Sequence, residues 1–183
     1  EIPLRLVGSE MCIRDSFYVV FSRFVAYKRI DLAIEACKEL NKKLVVIGDG
    51  EERENLKRLA DNNENIIFTG RIPDEEVRDN LQRCKAMLFC AEEDFGIIPV
   101  EAQACGRPVI AYGKGGALET VVDGVTGIFF QKQEKESVKE AILEFEKKDF
   151  KIEDILENSR KFSKEVFKSK LVEVINEKNS NRL

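Results

Sequence analysis

Two carboxylates and a predicted helix start share one short stretch of the chain. Glu93 and Glu101 flank seven residues that include one Gly and one Pro, and Pro is favoured in the first turn of a helix. We therefore predict a helix that begins near Ile97 or Ile98, with Glu93 in the preceding loop and Glu101 about one turn inside. Both carboxylates can then face one cleft, beside free backbone N–H groups that favour an anion. Hydroxyl-accepting carboxylates next to such an anion site suit a sugar nucleotide.

Two basic residues follow the first predicted strand. Arg23 and Lys28 lie at its carboxyl end, where open α/β sheets bind ligands. A diphosphate needs fixed positive charge, which Arg offers as a planar fork and Lys as a point charge. The alternative is a solvated surface pair, since the chain holds 30 basic residues. After the second strand, Gly48-Asp49-Gly50 predicts either a structural turn or a ligand-lining loop.

Short apolar runs alternate with amphipathic stretches along the chain. The runs are continuous rather than alternating, as in strands buried on both faces. The stretches between them carry apolar residues at helical spacing. This order predicts an α/β fold: a Rossmann-like parallel six-stranded sheet with helices on both faces. The predicted strands are FYVVF, KLVVIG, NIIFTG, AMLFC, PVIAY and GIFF; the predicted helices cover 29–40, 51–60, 74–84, 98–104, 134–147 and 152–178, the last broken near Ser159 or Ser163.

The two ends of the chain are predicted to differ from its middle. Residues 1–16 contain SEMCIRDS, which resembles translated sequencing-adapter read-through, so we expect a non-native segment or else a linker. Residues 17–178 then form a nucleotide-sugar-binding domain, and residues 179–183 a frayed tail. Apolar residues at three- and four-residue spacing in the last helix predict either core packing or a face that has lost its natural cover. They are Phe162, Val166, Phe167, Leu171, Val174 and Ile175.

Bulk composition excludes several classes of function. The net charge is −4 with basic residues scattered along the chain, which argues against nucleic acid as a partner. No apolar run approaches the ~20 residues of a membrane span, although surface association with a membrane stays open. Five cysteines without a C-x-x-C spacing, and no histidine, argue against a metal site. We expect the cysteines to be reduced thiols packed as small hydrophobes.

Five segments in order resemble the family-4 retaining glycosyltransferases, which have the GT-B fold. They are Ser22-Arg23 with Lys28, LVVIGDGEEREN, IIFTGRIPDEEV, the E-x7-E spacing of Glu93 and Glu101, and GGALETVVDGVTGIFF. The resemblance runs from about Phe17 to Lys178, and implies the C-terminal, donor-binding half of such an enzyme. EEDFGIIPVEA with YGKGGALETV looks most like the mannosyltransferase branch, so GDP-mannose is the favoured donor and a UDP-sugar the alternative.

The resemblance also implies roles for single residues. Arg23 and Lys28 would stabilise the departing diphosphate, Glu93 would sit beside the donor sugar, and Glu101 would accept both ribose hydroxyls. The Arg71-Ile72 loop would lie along the nucleobase through its backbone. Catalytic roles are thereby expected for Glu93, Arg23 and Lys28, and donor binding for Arg23, Lys28, Arg71, Ile72, Glu93, Phe95, Gly96, Ile97 and Glu101.

The implied reaction moves a sugar to an acceptor hydroxyl with retention of anomeric configuration. The absence of a D-x-D motif means that the sequence requires no metal, and no cofactor is expected. The acceptor site would belong to a missing N-terminal half, so this chain alone is expected to be inactive. The implied location is cytoplasmic, with association at the inner membrane surface through that half. Glycoside hydrolysis by the two carboxylates and a sugar-nucleotide-binding module without transferase activity remain alternatives.

Overall fold

A six-stranded parallel sheet forms the centre of the molecule. The structure, a computed structural model, describes the backbone of residues 16–180 and the side chains of residues 16–176. The strands run in the order β3-β2-β1-β4-β5-β6 and all pair in parallel. The predicted fold class is confirmed. The strands are β1 Phe17–Phe21, β2 Lys43–Ile47, β3 Ile66–Gly70, β4 Met87–Phe89, β5 Val109–Tyr112 and β6 Gly127–Phe130.

The apolar runs are continuous because both faces of the sheet are covered. Along β1, Tyr18 and Val20 pack into one hydrophobic cluster, whereas Phe17 and Val19 pack into a second cluster on the other face. Neighbouring side chains of a strand point to opposite faces, so the runs of β1, β2, β4, β5 and β6 contribute to both clusters, whereas the edge strand β3 contributes only to the first. Helical residues complete the two cores.

Eight α-helices connect and cover the strands in the described part of the chain. The first core holds residues of α1, α2 and α6, and the second holds residues of α3, α4 and α5. A 3₁₀ turn at Ala26–Lys28 and the short helix α5 were not predicted. The helices are α1 Ile30–Glu39, α2 Arg53–Ala60, α3 Asp74–Arg83, α4 Ile97–Ala104, α5 Ala117–Thr120, α6 Lys135–Phe145, α7 Ile152–Arg160 and α8 Lys164–Ser180.

A buried polar network anchors α4 to the helices beside it. The Asn158 side-chain amide donates to Gln103 Oε1 at 2.7 Å and to the Thr120 carbonyl at 2.9 Å, and the Gln103 amide donates to the same carbonyl at 2.8 Å. These three residues belong to α7, α4 and α5. Satisfied buried networks of this kind restrict side chains to one arrangement, so the network helps to hold α4 in place.

The C-terminal helices break as predicted, between Arg160 and Lys164. Core packing was one of the two expectations for the apolar strip of α8, and it is wrong for Phe167, Leu171, Val174 and Ile175. Their side chains are 64%, 48%, 48% and 49% exposed. No helix in residues 16–180 is both long enough and apolar enough to span a membrane.

The cysteines within the described residues are free thiols, as predicted. Cys37, Cys84 and Cys90 are free and buried, and Cys105 is free and partly buried; burial raises the pKa of the Cys37 and Cys84 thiols to about 12. Cys12 lies outside the described residues, as do 1–15 and 181–183. The predicted identity of the first 16 residues and the frayed tail therefore stay predictions.

Candidate functional site

The site lies where the strand order reverses. β1 is flanked by β2 on one side and by β4 on the other, and a crevice opens at the carboxyl ends of strands at such a switch point. The loop that carries Arg23 and Lys28 follows β1, and the loop that carries Glu93 follows β4. The parallel sheet therefore brings two segments that are far apart in the sequence to one edge.

Lys28 and Glu93 form an ion pair across this crevice. The ammonium of Lys28 donates a hydrogen bond to Oε1 of Glu93, and the two side chains are only 11% and 18% exposed. Lys28 reaches inward because the 3₁₀ turn closes through a bond from its own N–H to the Val25 carbonyl, at 3.0 Å. An ammonium has three donors, so Lys28 can hold Glu93 and still donate to a second anion.

Arg23 belongs to the same loop as Lys28, the one that follows β1, and this loop is held through its backbone. The residue is exposed, and no ion pair or side-chain hydrogen bond joins it to another residue in the described range. Its loop rests on the Gly48-Asp49-Gly50 turn: a Cβ added at Gly48 would lie 1.9 Å from the Ser22 carbonyl oxygen. The Phe24 N–H also donates to the Asp49 carbonyl at 2.9 Å. This turn thus supports the Arg23 loop, a contact that the sequence pattern did not predict.

A second pair of glycines supports the Glu93 loop. The Gly116 N–H donates to the Glu93 carbonyl at 2.7 Å. A Cβ at Gly115 would lie 2.4 Å from the carbonyl oxygen of Glu93, and one at Gly116 would lie 2.2 Å from that of Phe95. No side chain fits at these distances, so the double glycine lets the two backbones touch. The Gly-Gly pair was the only sequence signal of this contact.

Helix α4 begins at the predicted place. Gly96 is its N-cap with φ of 74°, and no side chain caps the first turn. Within residues 16–180, no hydrogen bond is found for the backbone N–H of Gly96, Ile97 or Ile98. These donors and the helix dipole make the start of α4 attractive to an anion. Tyr27 and residues 92–97 line a cleft of about 420 Å³ at this point.

Two apolar side chains next to the helix start are open to solvent. Phe95 and Ile97 are 44% and 51% exposed at the cleft. The Phe95 ring meets Phe162 edge-on, with ring centroids 5.9 Å apart. Since Phe162 lies between α7 and α8, this contact ties the Glu93 loop to the start of the last helix.

Glu101 lies one turn inside α4, on the side toward α3. Partial burial raises the pKa of the Glu101 carboxyl, and the nearby Asp74 carboxylate raises it further. Asp74 is the first residue of α3, and it follows the loop that holds Arg71 and Ile72. Glu101 is therefore within electrostatic reach of the start of α3.

Arg71 and Ile72 lie farther along the same edge. They follow β3, which is separated from β1 by β2, so they are not next to the Lys28–Glu93 pair. Arg71 is exposed and Ile72 is partly buried against the same hydrophobic cluster as Ile98. No arrangement of three or more acidic, Cys or His groups suited to a metal occurs within the described residues.

One buried hydroxyl in the site lacks a partner. Ser22 Oγ is the single buried side-chain polar atom without a hydrogen bond in the part of the chain with described side chains. Ser22 lies between β1 and Arg23, at the crevice. In the sequence, Ser22 stands out only as the neighbour of Arg23 in the family resemblance.

Comparison with known proteins agrees with this architecture. The family described as glycosyl transferases group 1 matches residues 14–164. An uncharacterized glycosyltransferase of Methanocaldococcus jannaschii is 32% identical over 152 residues, 81% of this chain and 43% of that protein. A GDP-mannose-dependent phosphatidylinositol monomannoside mannosyltransferase of Mycolicibacterium smegmatis is 33% identical over 140 residues, 68% of this chain and 37% of that protein.

A crystal structure of Anabaena HepE in complex with UDP shares the fold. The TM-score is 0.75 at 23% identity, and the match covers 90% of this chain and 49% of HepE. The chain spans less than half the length of each of these proteins. The parallel sheet with its flanking helices corresponds to one Rossmann-like unit of GT-B glycosyltransferases. From the family match over residues 14–164, we conclude that this chain belongs to the group 1 glycosyl transferases.

Proposed function

We propose that this chain is the donor-binding part of a retaining, family-4 glycosyltransferase that moves a sugar, with mannose favoured, from a nucleoside diphosphate to an acceptor hydroxyl. The observation that carries the proposal is the Lys28–Glu93 ion pair, which lies at the switch point beside the uncapped start of α4. It joins a cation suited to a phosphate and a carboxylate suited to sugar hydroxyls in one crevice.

The diphosphate is the leaving group in this proposal. Negative charge develops on it as the bond to the sugar breaks, and fixed donors that meet this charge lower the barrier. Lys28, Arg23 and the N–H groups at the start of α4 supply such donors from two sides of the crevice. With the sugar held on the same face, the departing phosphate can take the proton of the acceptor hydroxyl, which gives retention.

The order of residues along the sheet edge matches the order of groups in a sugar nucleotide. Glu93 lies at the switch point, Glu101 is toward α3, and the Arg71-Ile72 loop comes after β3. A donor that lies along this edge would place its sugar by Glu93, its ribose by Glu101 and its base by the Arg71 loop.

GDP-mannose is the first donor to test. The Mycolicibacterium relative is described as GDP-mannose-dependent, and the segment around Glu93 resembles mannosyltransferases. The Anabaena neighbour was crystallised with UDP, at an identity that supports the fold alone. UDP-glucose is therefore the appropriate second probe.

Calorimetry with GDP, GDP-mannose and UDP-glucose tests the proposal. If the two effects add, Arg23→Ala combined with Lys28→Ala would weaken diphosphate binding by about 3 to 6 kcal/mol. We expect a smaller loss, because Arg23 is exposed and its interactions are screened by solvent. The matched control is Lys135→Ala with Lys139→Ala, which removes the same charge from an ion-pair cluster around Glu39, at the end of α1. Equal affinity in the two double variants would place the phosphate elsewhere.

A binding module without transferase activity would give the same calorimetry. A protein that joins this chain to an acceptor-binding part would separate the two functions, because an enzyme transfers the sugar and a module does not. Anomeric protons of the product, followed by NMR, report whether configuration is retained.

A further inference from the structure

Tyr27 is an exposed aromatic ring at the edge of the cleft beside Glu93. Its side chain is 60% exposed, although it neighbours Lys28, whose side chain is only 11% exposed. The Lys28 ammonium lies against the Tyr27 ring and pairs with the Glu93 carboxylate, so it is covered while most of the ring is not. The ring therefore lies at the surface while the ammonium beside it reaches the Glu93 carboxylate.

The cleft has two kinds of wall. Tyr27 forms one part, and residues 92–97 form the rest, with the Glu93 carboxylate and the start of α4 among them. A pyranose ring likewise has an apolar C–H face and a rim of hydroxyl donors. An aromatic ring can pack against the apolar C–H face, and carboxylate oxygens can accept hydrogen bonds from the hydroxyl groups. The volume of about 420 Å³ leaves room for one sugar.

Lys28 holds the ring and the carboxylate in fixed relation. Its ammonium lies 5.0 Å from the centre of the Tyr27 ring, within the range of a cation–π contact, and it also pairs with Glu93. One cation thus contacts both walls of the cleft. A group bound between them would meet the ring on one side and the carboxylate on the other.

We propose that Tyr27 is a sugar-binding residue, and that its ring packs against the C–H face of the donor hexose while Glu93 accepts hydroxyls. This inference rests on the proposed function and names a residue that selects the sugar rather than the nucleotide. Tyr27 has no part in the roles assigned above to the phosphate, the ribose or the base.

Binding of paired ligands tests this role. GDP and GDP-mannose, together with UDP and UDP-glucose, are titrated into the 183-residue chain and into Tyr27→Ala and Tyr27→Phe. Tyr27→Ala should lower the affinity of the sugar-bearing member by about 3- to 10-fold, the size of one aromatic contact, and leave the bare diphosphate unchanged. Tyr27→Phe keeps the ring and should bind both as the unaltered chain does.

Three other outcomes would contradict the proposal. Equal loss of both members in Tyr27→Ala overturns the proposal, since the ring would then act only by holding Lys28. Unchanged affinity for both also overturns it and leaves the ring as a contact for another part of a longer protein. If the unaltered chain binds none of the four ligands, the proposed function fails together with this inference. Melting temperatures of the variants show that a loss of binding is not a loss of folding.

Discussion

Glu93 and Glu101 are alike in sequence, yet their surroundings differ. Glu93 is mostly buried and paired with Lys28. Glu101 is more open to solvent than Glu93, but partial desolvation raises the pKa of its carboxyl, and the Asp74 carboxylate raises it further. No ion pair to Glu101 is found in the described range. A carboxylate without an ion-pair partner keeps its oxygens available to accept hydrogen bonds from hydroxyl groups, which suits a ribose.

Replacing each carboxylate by its amide should separate the two parts of the donor. Glu101→Gln should weaken GDP and GDP-mannose alike by about 1 to 3 kcal/mol, the worth of a hydrogen bond to a charged group. Glu93→Gln should spare GDP, or even tighten it because Lys28 loses its competing partner, and should weaken GDP-mannose relative to GDP. Calorimetry of both ligands with both variants measures this.

Helix stabilisation is the competing explanation for both glutamates. In that case each variant would lower the melting temperature, and neither would distinguish the two ligands. Acidification gives an independent check on Glu101. Because its folded-state pKa is raised, its carboxylate protonates at a higher pH than an ordinary Glu. As the pH is lowered through this raised pKa, the affinity of the unaltered chain for GDP should fall. Glu101→Gln has no carboxyl to protonate at this position and should not show this part of the decrease.

At the scale of elements, two glycine turns position the site. Gly48-Asp49-Gly50 carries the loop after β1, and Gly115-Gly116 carries the loop after β4. Each turn comes from the strand beside the one whose loop it supports, β2 for β1 and β5 for β4. The two loops of the crevice therefore each rest on backbone rather than on flexible side chains, which restricts how far either loop can shift.

Gly115→Ala should displace the Glu93 loop. The added Cβ would lie 2.4 Å from the Glu93 carbonyl oxygen, so the loop must move, at a cost of about 1 to 3 kcal/mol for overpacking. GDP-mannose affinity should fall with it. Gly124→Ala is the matched control: its φ of +71° resembles the +59° of Gly115, but nothing lies within 4 Å of the added Cβ. Gly124→Ala should lose only the stability that the strained backbone conformation costs, and it should keep full affinity for GDP-mannose.

Urea unfolding and donor titration of the two variants measure this difference. If Gly124→Ala loses as much stability as Gly115→Ala, backbone strain explains the effect and the close approach does not. If Gly115→Ala keeps full donor affinity, the Glu93 loop does not depend on this support.

Local patterns predicted the elements well, and contacts between distant segments poorly. The strands appeared as continuous apolar runs because both faces are buried, and Pro99 indicated the start of α4. The 3₁₀ turn and α5 are too short for any periodicity to show. The Lys28–Glu93 pair joins residues 65 positions apart, and only the strand order, which the sequence did not specify, brings them together. The same holds for Gly115 against Glu93.

At the scale of the whole molecule, apolar side chains are exposed both at the crevice and along the last helix. The crevice beside Glu93 is exposed at Phe95 and Ile97, and α8 exposes Phe167, Leu171 and Val174. Apolar groups in such a strip commonly mark an interaction surface. The chain also spans less than half the length of its relatives. Both observations agree with our proposal that this chain is the donor-binding part of a glycosyltransferase.

We therefore expect the 183-residue chain to bind a donor but not to transfer its sugar. The groups proposed for catalysis here act on the leaving diphosphate and on the donor sugar, and none of them is assigned to hold an acceptor hydroxyl in line with the breaking bond. Positioning of this kind contributes about 7 to 11 kcal/mol to catalysis, so its loss should abolish measurable turnover. Labelled GDP-mannose is incubated with the chain and with lipid or glycan acceptors, and transfer is followed by chromatography of the products. Binding shown by calorimetry in the same buffer proves that the donor site is intact, and robust transfer by this chain alone would contradict the division into donor and acceptor parts.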